Sequence, residues 1–165
     1  MRTFEVEAEQ TGEVLTLRFI GYLNEDADLA KIPDPKGKSV VLNLEKVEGS
    51  NSLGLKKWIN WINPLAQKVQ LTFEKVPPAI VHQMSILSGF VPRGARINSI
   101  YVPFHCDSCG NEETILFENG SGFYTGTAET KPGYRIDEKR PCSKCGASLE
   151  IDAVPDRYFN FLFQK

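Results

Sequence analysis

Four cysteines recur in matched settings, Cys106-x-x-Cys109-Gly110 and Cys142-x-x-Cys145-Gly146, with 32 residues between Cys109 and Cys142. A two-residue gap lets both thiolates of a pair face one ion, and the following glycine permits the tight turn that brings backbone amides toward sulfur. Two such pairs complete a tetrahedral set of four thiolates. With every coordination position filled and none left for water, the chemistry expected is structural and not catalytic. The expected ion is zinc, and iron is the alternative that takes the same ligands. His105 adjoins Cys106 but is surplus to the set, so it is read as a neighbour of the ligands.

A second stretch with chemical potential is "GSNSLG", Gly49 to Gly54, between a β-branched run and an amphipathic one. Ser50-Asn51-Ser52-Leu53-Gly54 has the small-x-Ser-x-Gly outline of a nucleophile elbow. The later histidines that a hydrolase would need are His82, inside a predicted helix, and His105, beside a metal ligand, so the acid and base partners are missing. A phosphate-binding loop fails as well: Leu55 stands where the lysine belongs, Lys56 comes one place late, and no Ser or Thr follows it. What remains is a cap, in which Ser50, Asn51 or Ser52 accepts hydrogen bonds from free amides at a helix start.

The elements that must position these residues alternate at short spacing. "VLTLRFIGYL" (14–23) and "SVVLNL" (39–44) read as strands, the second as an apolar run of the kind found in a sheet buried on both faces. Between them "NEDADLAKI" reads as a short helix capped by Asn24 and stopped by Pro33 and Pro35. After the serine turn, Leu55, Trp58, Ile59, Ile62, Leu65 and Ala66 share one helical face, while Lys56, Lys57, Asn60 and Asn63 fall off it. Pro64 is expected to kink or split that helix. "KVQLTFEKV" is a further strand, "PPAIVHQMSILSG" a helix ended by Gly89, and "INSIYVPF" (97–104) one more extended segment. Alternation of this kind predicts an α/β domain, a small mixed sheet with helices packed on it. The composition changes at about residue 105, and the Gly/Thr/Ser-rich stretch 118–135 between the cysteine pairs predicts a hairpin excursion or long loop. Residues 1–104 are therefore assigned to the α/β domain and 105–165 to a small, β-rich metal ribbon, too small to fold without its ion.

The strand "SVVLNLEKVE", the turn "NSLG", the helix "LKKWINWI" and the following "VQLTFEKVPPAIVHQMSILSGF" together resemble a STAS domain, the family of anti-sigma-factor antagonists and sulfate-transporter tails. The resemblance covers about residues 3 to 104. In that family a strand ends in Asp-Ser-Ser/Thr-Gly at a helix N-terminus, and the first serine is phosphorylated by a partner kinase. The matching positions here are Asn51, Ser52, Leu53 and Gly54, so the family's Asp is Asn51 and its second hydroxyl residue is Leu53. The resemblance implies a non-enzymatic, reversible protein-binding regulator, with Ser52 as candidate phosphorylation site and an anti-sigma factor or kinase-like regulator as partner. Leu53 opposite the buried stripe and Trp61 at its edge would offer apolar groups beside the turn, giving Ser50, Asn51, Ser52, Leu53, Gly54 and Trp61 as the docking set.

Charge bears on the rival reading, a nucleic-acid-associated transcriptional regulator using the ribbon. The whole chain carries nineteen basic and twenty-one acidic residues, and residues 101–165 hold seven basic and ten acidic ones, a net of −3. Four thiolates on one divalent ion take the ribbon to about −5, which disfavours contact with phosphates. No run approaches the roughly 18 apolar residues of a membrane span, and the N-terminus lacks the pattern of a secretory signal. The chain is accordingly read as cytoplasmic with no membrane partner, and the resemblance implies a bacterial regulator, with a homodimer as a candidate assembly.

Overall fold

A computed structural model describes residues 2–137 and 139–164. It is a mixed α/β structure, richer in strand than in helix, with eleven strands and three α-helices among the described residues. The first sheet runs β1 (Glu5–Thr11), β2 (Val14–Leu23), β3 (Ser39–Ser50), β4 (Gln70–Glu74) and β5 (Arg96–Ile97) in that spatial order. β1 is antiparallel to β2, and β2 through β5 are mutually parallel. Helix α1 (Ser52–Ala66) joins β3 to β4, and α2 (Pro78–Ile86) leads from β4 toward β5.

Strands that advance in one direction across a sheet, joined by right-handed crossovers, put both helices on one face. The burial pattern agrees. β2 buries Leu15, Leu17 and Phe19, β3 buries Val40, Leu42 and Leu44, and β4 buries Leu71 and Phe73, each alternating with more open residues. The expectation that "SVVLNL" is covered on both faces is thereby corrected: Val41 and Asn43 are only half-buried, because no helix crosses on their side.

Trp58 of α1 is the centre of the core. It stacks on Phe90 with ring centroids 5.3 Å apart and meets Phe19 and Phe73 edge-on. Its indole N–H donates to the Phe90 carbonyl at 3.1 Å, so the buried polar end is satisfied. Ile62 completes the buried stripe with Gly54, and Leu55, Ile59, Leu65 and Ala66 pack half-buried at its margins. Pro64 does not split α1, which continues for two residues beyond it. Asn63, placed off the apolar face by the sequence pattern, is half-buried and donates to the carbonyls of Ile59 and Gly89, both at 2.9 Å.

The helix expected over "NEDADLAKI" is a second correction. Asn24 Oδ1 accepts from the Asp26 amide at 3.0 Å, closing a local turn, and only Leu29–Lys31 forms a single 3-10 turn. Side-chain bonding of this kind offers the backbone an alternative to helix.

The segment "INSIYVPF" spans β5 and β6 (Ser99–His105), and β6 belongs to a second, antiparallel sheet with β7 (Glu112–Glu118), β11 (Ser148–Ile151) and β10 (Arg140–Pro141). A parallel bridge between Val76 and Ile100 ties β6 to the end of β4. The expected boundary at 104/105 thus falls one residue before the end of β6, a strand that carries the chain out of one sheet and into the other. The Gly/Thr/Ser-rich excursion forms a small hairpin, β8 (Phe123–Tyr124) with β9 (Gly133–Tyr134).

The C-terminal segment, α3 (Pro155–Tyr158) and a 3-10 turn over Asn160–Phe163, folds back onto α2. The buried Ser85 hydroxyl donates to the Tyr158 carbonyl at 2.8 Å, and Asn160 Nδ2 and Gln164 Nε2 donate to the Ser85 carbonyl at 2.8 and 2.6 Å. Phe159, Phe161 and Leu162 thereby join the same continuous core as Trp58 and Phe104.

Candidate functional site

At the β3–α1 turn, β2 and β3 end side by side, and the Asn51 amide donates to the Leu23 carbonyl at 3.0 Å. Asn51 is the N-cap: its Oδ1 accepts from the Gly54 amide at 2.9 Å. Ser52 is the first helical residue and not the cap, so of the three candidates Asn51 does the capping. The other end of the Asn51 amide donates to Glu25 Oε2 at 2.6 Å. Lys57, one turn further along α1, reaches the carbonyls of Glu25 and of Ala27, the latter at 3.2 Å. The Asn51 bond, followed by the Glu25 backbone amide, holds the Glu25 carboxyl below the usual carboxylate range.

Gly54 shows why the turn sits so close to β2. A Cβ there would stand 2.1 Å from the Leu23 carbonyl oxygen and 2.7 Å from the Asn24 nitrogen, so only glycine permits this approach. Ser50 has a buried hydroxyl with no hydrogen-bond partner, while its carbonyl accepts from Tyr22 Oη at 2.9 Å. Of the six residues in the docking set, Asn51, Ser50 and Gly54 therefore face inward or are engaged. Ser52 is exposed and its hydroxyl bonds to nothing among the described residues, and Leu53 is 56% exposed. Trp61 is half-buried and lies against Phe19 and Trp58, about 12 Å along the helix axis from Leu53. His82 is exposed on α2.

Glu25 and Lys57 were not singled out by sequence. The signal was present in the acidic "NED" directly after a strand, which reads equally well as the first turn of a helix.

The cysteine site is built by two equivalent knuckles. Cys106 N donates to the Asn111 carbonyl at 2.8 Å, and Cys142 N donates to that of Ala147 at 2.7 Å. Gly110 N donates to the Cys106 carbonyl and Gly146 N to the Cys142 carbonyl, at 2.8 and 2.9 Å, with both glycines at positive φ (72° and 75°). The knuckles face each other, with Cys106 Sγ 3.5 Å from Cys145 Sγ and Cys109 Sγ 3.7 Å from Cys142 Sγ. All four sulfurs lie within 4.8 Å of one another.

A tetrahedron of metal–sulfur bonds of ~2.3 Å has sulfur–sulfur edges of ~3.8 Å, so the four thiols fit a metal site and are compatible with structural zinc. The amides of Cys145 and, after it, Lys144 bring the Cys142 thiol down to about 7. The Asn111 amide works the same way on Cys109, yet desolvation and the three neighbouring thiols outweigh it and push Cys109 up to about 12. Four crowded thiols cannot all ionise without a cation among them, which is the service a divalent ion performs.

Glu113 of β7 braces the second knuckle. Its Oε1 accepts from the Ser143 amide and hydroxyl at 2.8 and 2.6 Å and from Asn111 Nδ2 at 2.8 Å. His105 lies outside the four-sulfur cluster, with Asp107 and Glu150, its Nε2 2.9 Å from Asp107 Oδ1.

No protein-family model matches the chain, and no curated protein matches it. Among the described residues, no helix is long and apolar enough to cross a membrane.

Proposed function

We propose that the chain is a non-enzymatic, STAS-like regulator that binds a protein partner through the start of α1, joined to a ribbon held by structural zinc. The observation that carries the reading is the exposed pair Ser52 and Leu53 at a helix N-terminus whose cap is fixed from behind by Asn51, Glu25 and Lys57. An apolar side chain beside free helix amides suits docking, and a hydroxyl in the same turn suits control by charge. A phosphate on Ser52 would bring nearly two negative charges into an apolar contact, and its effect is release. The partner class implied is an anti-sigma factor or kinase-like regulator in a bacterial cytoplasm. The ribbon adds a second protein contact or shields the edge of the first sheet at β5; its acidity speaks against nucleic acid.

The test compares wild type, Ser52→Asp and Leu53→Glu as baits in the native cell, with bound proteins quantified by mass spectrometry. A partner retained by wild type and lost by both variants supports the reading, and identical recovery by all three defeats it. A salt-dependent shift of DNA or RNA by the full chain would move the assignment to the nucleic-acid class. A colourless preparation with about one zinc per chain supports zinc, and a coloured, iron-containing one assigns iron.

A further inference from the structure

At the opposite end of α1 from Ser52, about 16 Å along the helix axis, a cavity of about 1080 Å³ opens at Asn63 and Gln67. Its other walls are the 88–97 segment that follows α2, the start of the 125–132 loop at Thr125, and the C-terminal turn docked on α2. Four stretches of chain far apart in sequence converge on it. The volume lies just above the range of about 300–1,000 Å³ found for small-molecule sites.

The walls have a definite chemistry. Ile86 and Val91 give them apolar surface in similar measure to the polar surface around it, with the buried Met84, Ile97, Phe161 and Leu162 behind. Among the described residues no aspartate or glutamate lines the cavity, although the chain as a whole is net acidic. Among the described residues the single charge is Arg93, and it makes no hydrogen bond or ion pair with any of them. The polar groups beside it are neutral: among the described residues the side chains of Gln67 and Ser88 have no partner, and Asn63 spends both amide hydrogens on Ile59 and Gly89, its oxygen accepting from none. An exposed guanidinium without a counter-ion among the described residues, set at a cleft of mixed apolar and neutral polar surface, is complementary to a ligand with an apolar body and one anionic head.

We infer that this cavity is a binding site for a small amphipathic monoanion, its carboxylate or sulfonate paired with Arg93 and its body against Ile86 and Val91. The contrast with the second arginine-bearing cavity is instructive. There Arg135 and Arg140 already face Asp137, at 3.7 and 3.9 Å, and the anion position is taken. The inference concerns a site separate from the Ser52 turn and holds whatever binds there.

The test uses the full, metal-loaded chain with two dyes, 8-anilinonaphthalene-1-sulfonate and its uncharged analogue N-phenyl-1-naphthylamine, titrated by fluorescence and calorimetry. Arg93→Gln is compared with wild type and with Arg135→Gln, which removes the same charge elsewhere; thermal unfolding checks that both exposed substitutions leave the fold intact. The expected result is one saturable sulfonate site per chain, weakened about tenfold or more by Arg93→Gln and less than about twofold by Arg135→Gln. The uncharged dye should bind all three chains alike. Absence of saturable binding, equal losses in the two arginine variants, or an equal loss for both dyes in Arg93→Gln would each overturn the inference.

Discussion

Replacing Asn51 distinguishes a three-way junction at the α1 start from an ordinary helix cap. Alanine removes both the acceptor for the Gly54 amide, at 2.9 Å, and the donor to Glu25, at 2.6 Å. Loss of a cap costs about 0.5–2 kcal/mol, and Gly54 is buried, so its amide has no water to replace Oδ1. The expected loss for Asn51→Ala is therefore about 1.5–2 kcal/mol, or roughly 3–8 °C in a chain of this size. Asn51→Asp keeps the acceptor but has no hydrogen to donate, and it sets a second carboxylate against Glu25. A charge at the helix N-terminus returns only about 0.3–1 kcal/mol. At neutral pH the aspartate variant should be less stable than wild type.

The pH dependence separates the two. In wild type the Glu25 carboxyl is held below its usual value, chiefly by the Asn51 bond, so its contribution is complete above the ordinary carboxylate pKa. That contribution is lost as pH falls through the lowered folded value. In Asn51→Asp the sign reverses: one of the two facing carboxyls gains a proton more readily folded than unfolded, so acidification narrows the deficit. Urea unfolding at about pH 7.5 and about pH 4.5 reads both effects, and Glu25→Gln in the Asn51→Asp background should restore stability by supplying the missing donor. A cost for Asn51→Ala under about 0.5 kcal/mol, or an aspartate variant equal to wild type at neutral pH, would refute the junction.

Phe159 is fully buried and stacks on Tyr134 with ring centroids 4.3 Å apart, so Phe159→Ala should cost about 3–5 kcal/mol in urea unfolding and expose the C-terminal segment to limited proteolysis. Because β6 is common to the cysteine ribbon and the main core, metal removal with a chelator should lower the unfolding temperature of the whole chain, followed by circular dichroism, and not merely melt an appendage. An unchanged transition after verified metal loss would contradict that coupling. Cobalt substitution should give the intense visible bands of tetrahedral thiolate coordination.

β2, β3 and β4 were legible as runs rich in β-branched, aromatic and other apolar residues: β2 coincides with the predicted 14–23, while β3 runs on from the predicted 39–44 to Ser50 and β1 was not assigned. The cysteine site was legible because spacing alone makes a knuckle. The helix over "NEDADLAKI" was misread because acidic residues after an Asn signal either a helix start or a side-chain turn, and the choice depended on Asn24 bonding to Asp26, a local contact with no periodicity. Burial of "SVVLNL" on both faces was misread because composition does not say on which side the crossovers lie. The docking of Phe159, Phe161 and Leu162 on α2 was invisible for a different reason: an apolar tail shows that something is covered, and its partner, Ser85, is a single serine in an unrelated helix.

The geometry of the Ser52 turn constrains how a charge there could act. Gly54 presses against the Leu23 carbonyl, Asn51 is bonded on both sides, and Lys57 pins the Glu25–Ala27 backbone, so the first turn of α1 has no room to shift as a unit. The Ser52 side chain itself is free and points into solvent. A negative charge at that position should therefore change the electrostatics of the surface while leaving the backbone where it is. In amide nuclear magnetic resonance spectra of Ser52→Asp, shift changes should be confined to the first turn of α1 and the 23–27 segment. Changes spreading to Trp58 or to β4 would mean that the turn moves, and that a switch at Ser52 works through conformation and not through charge.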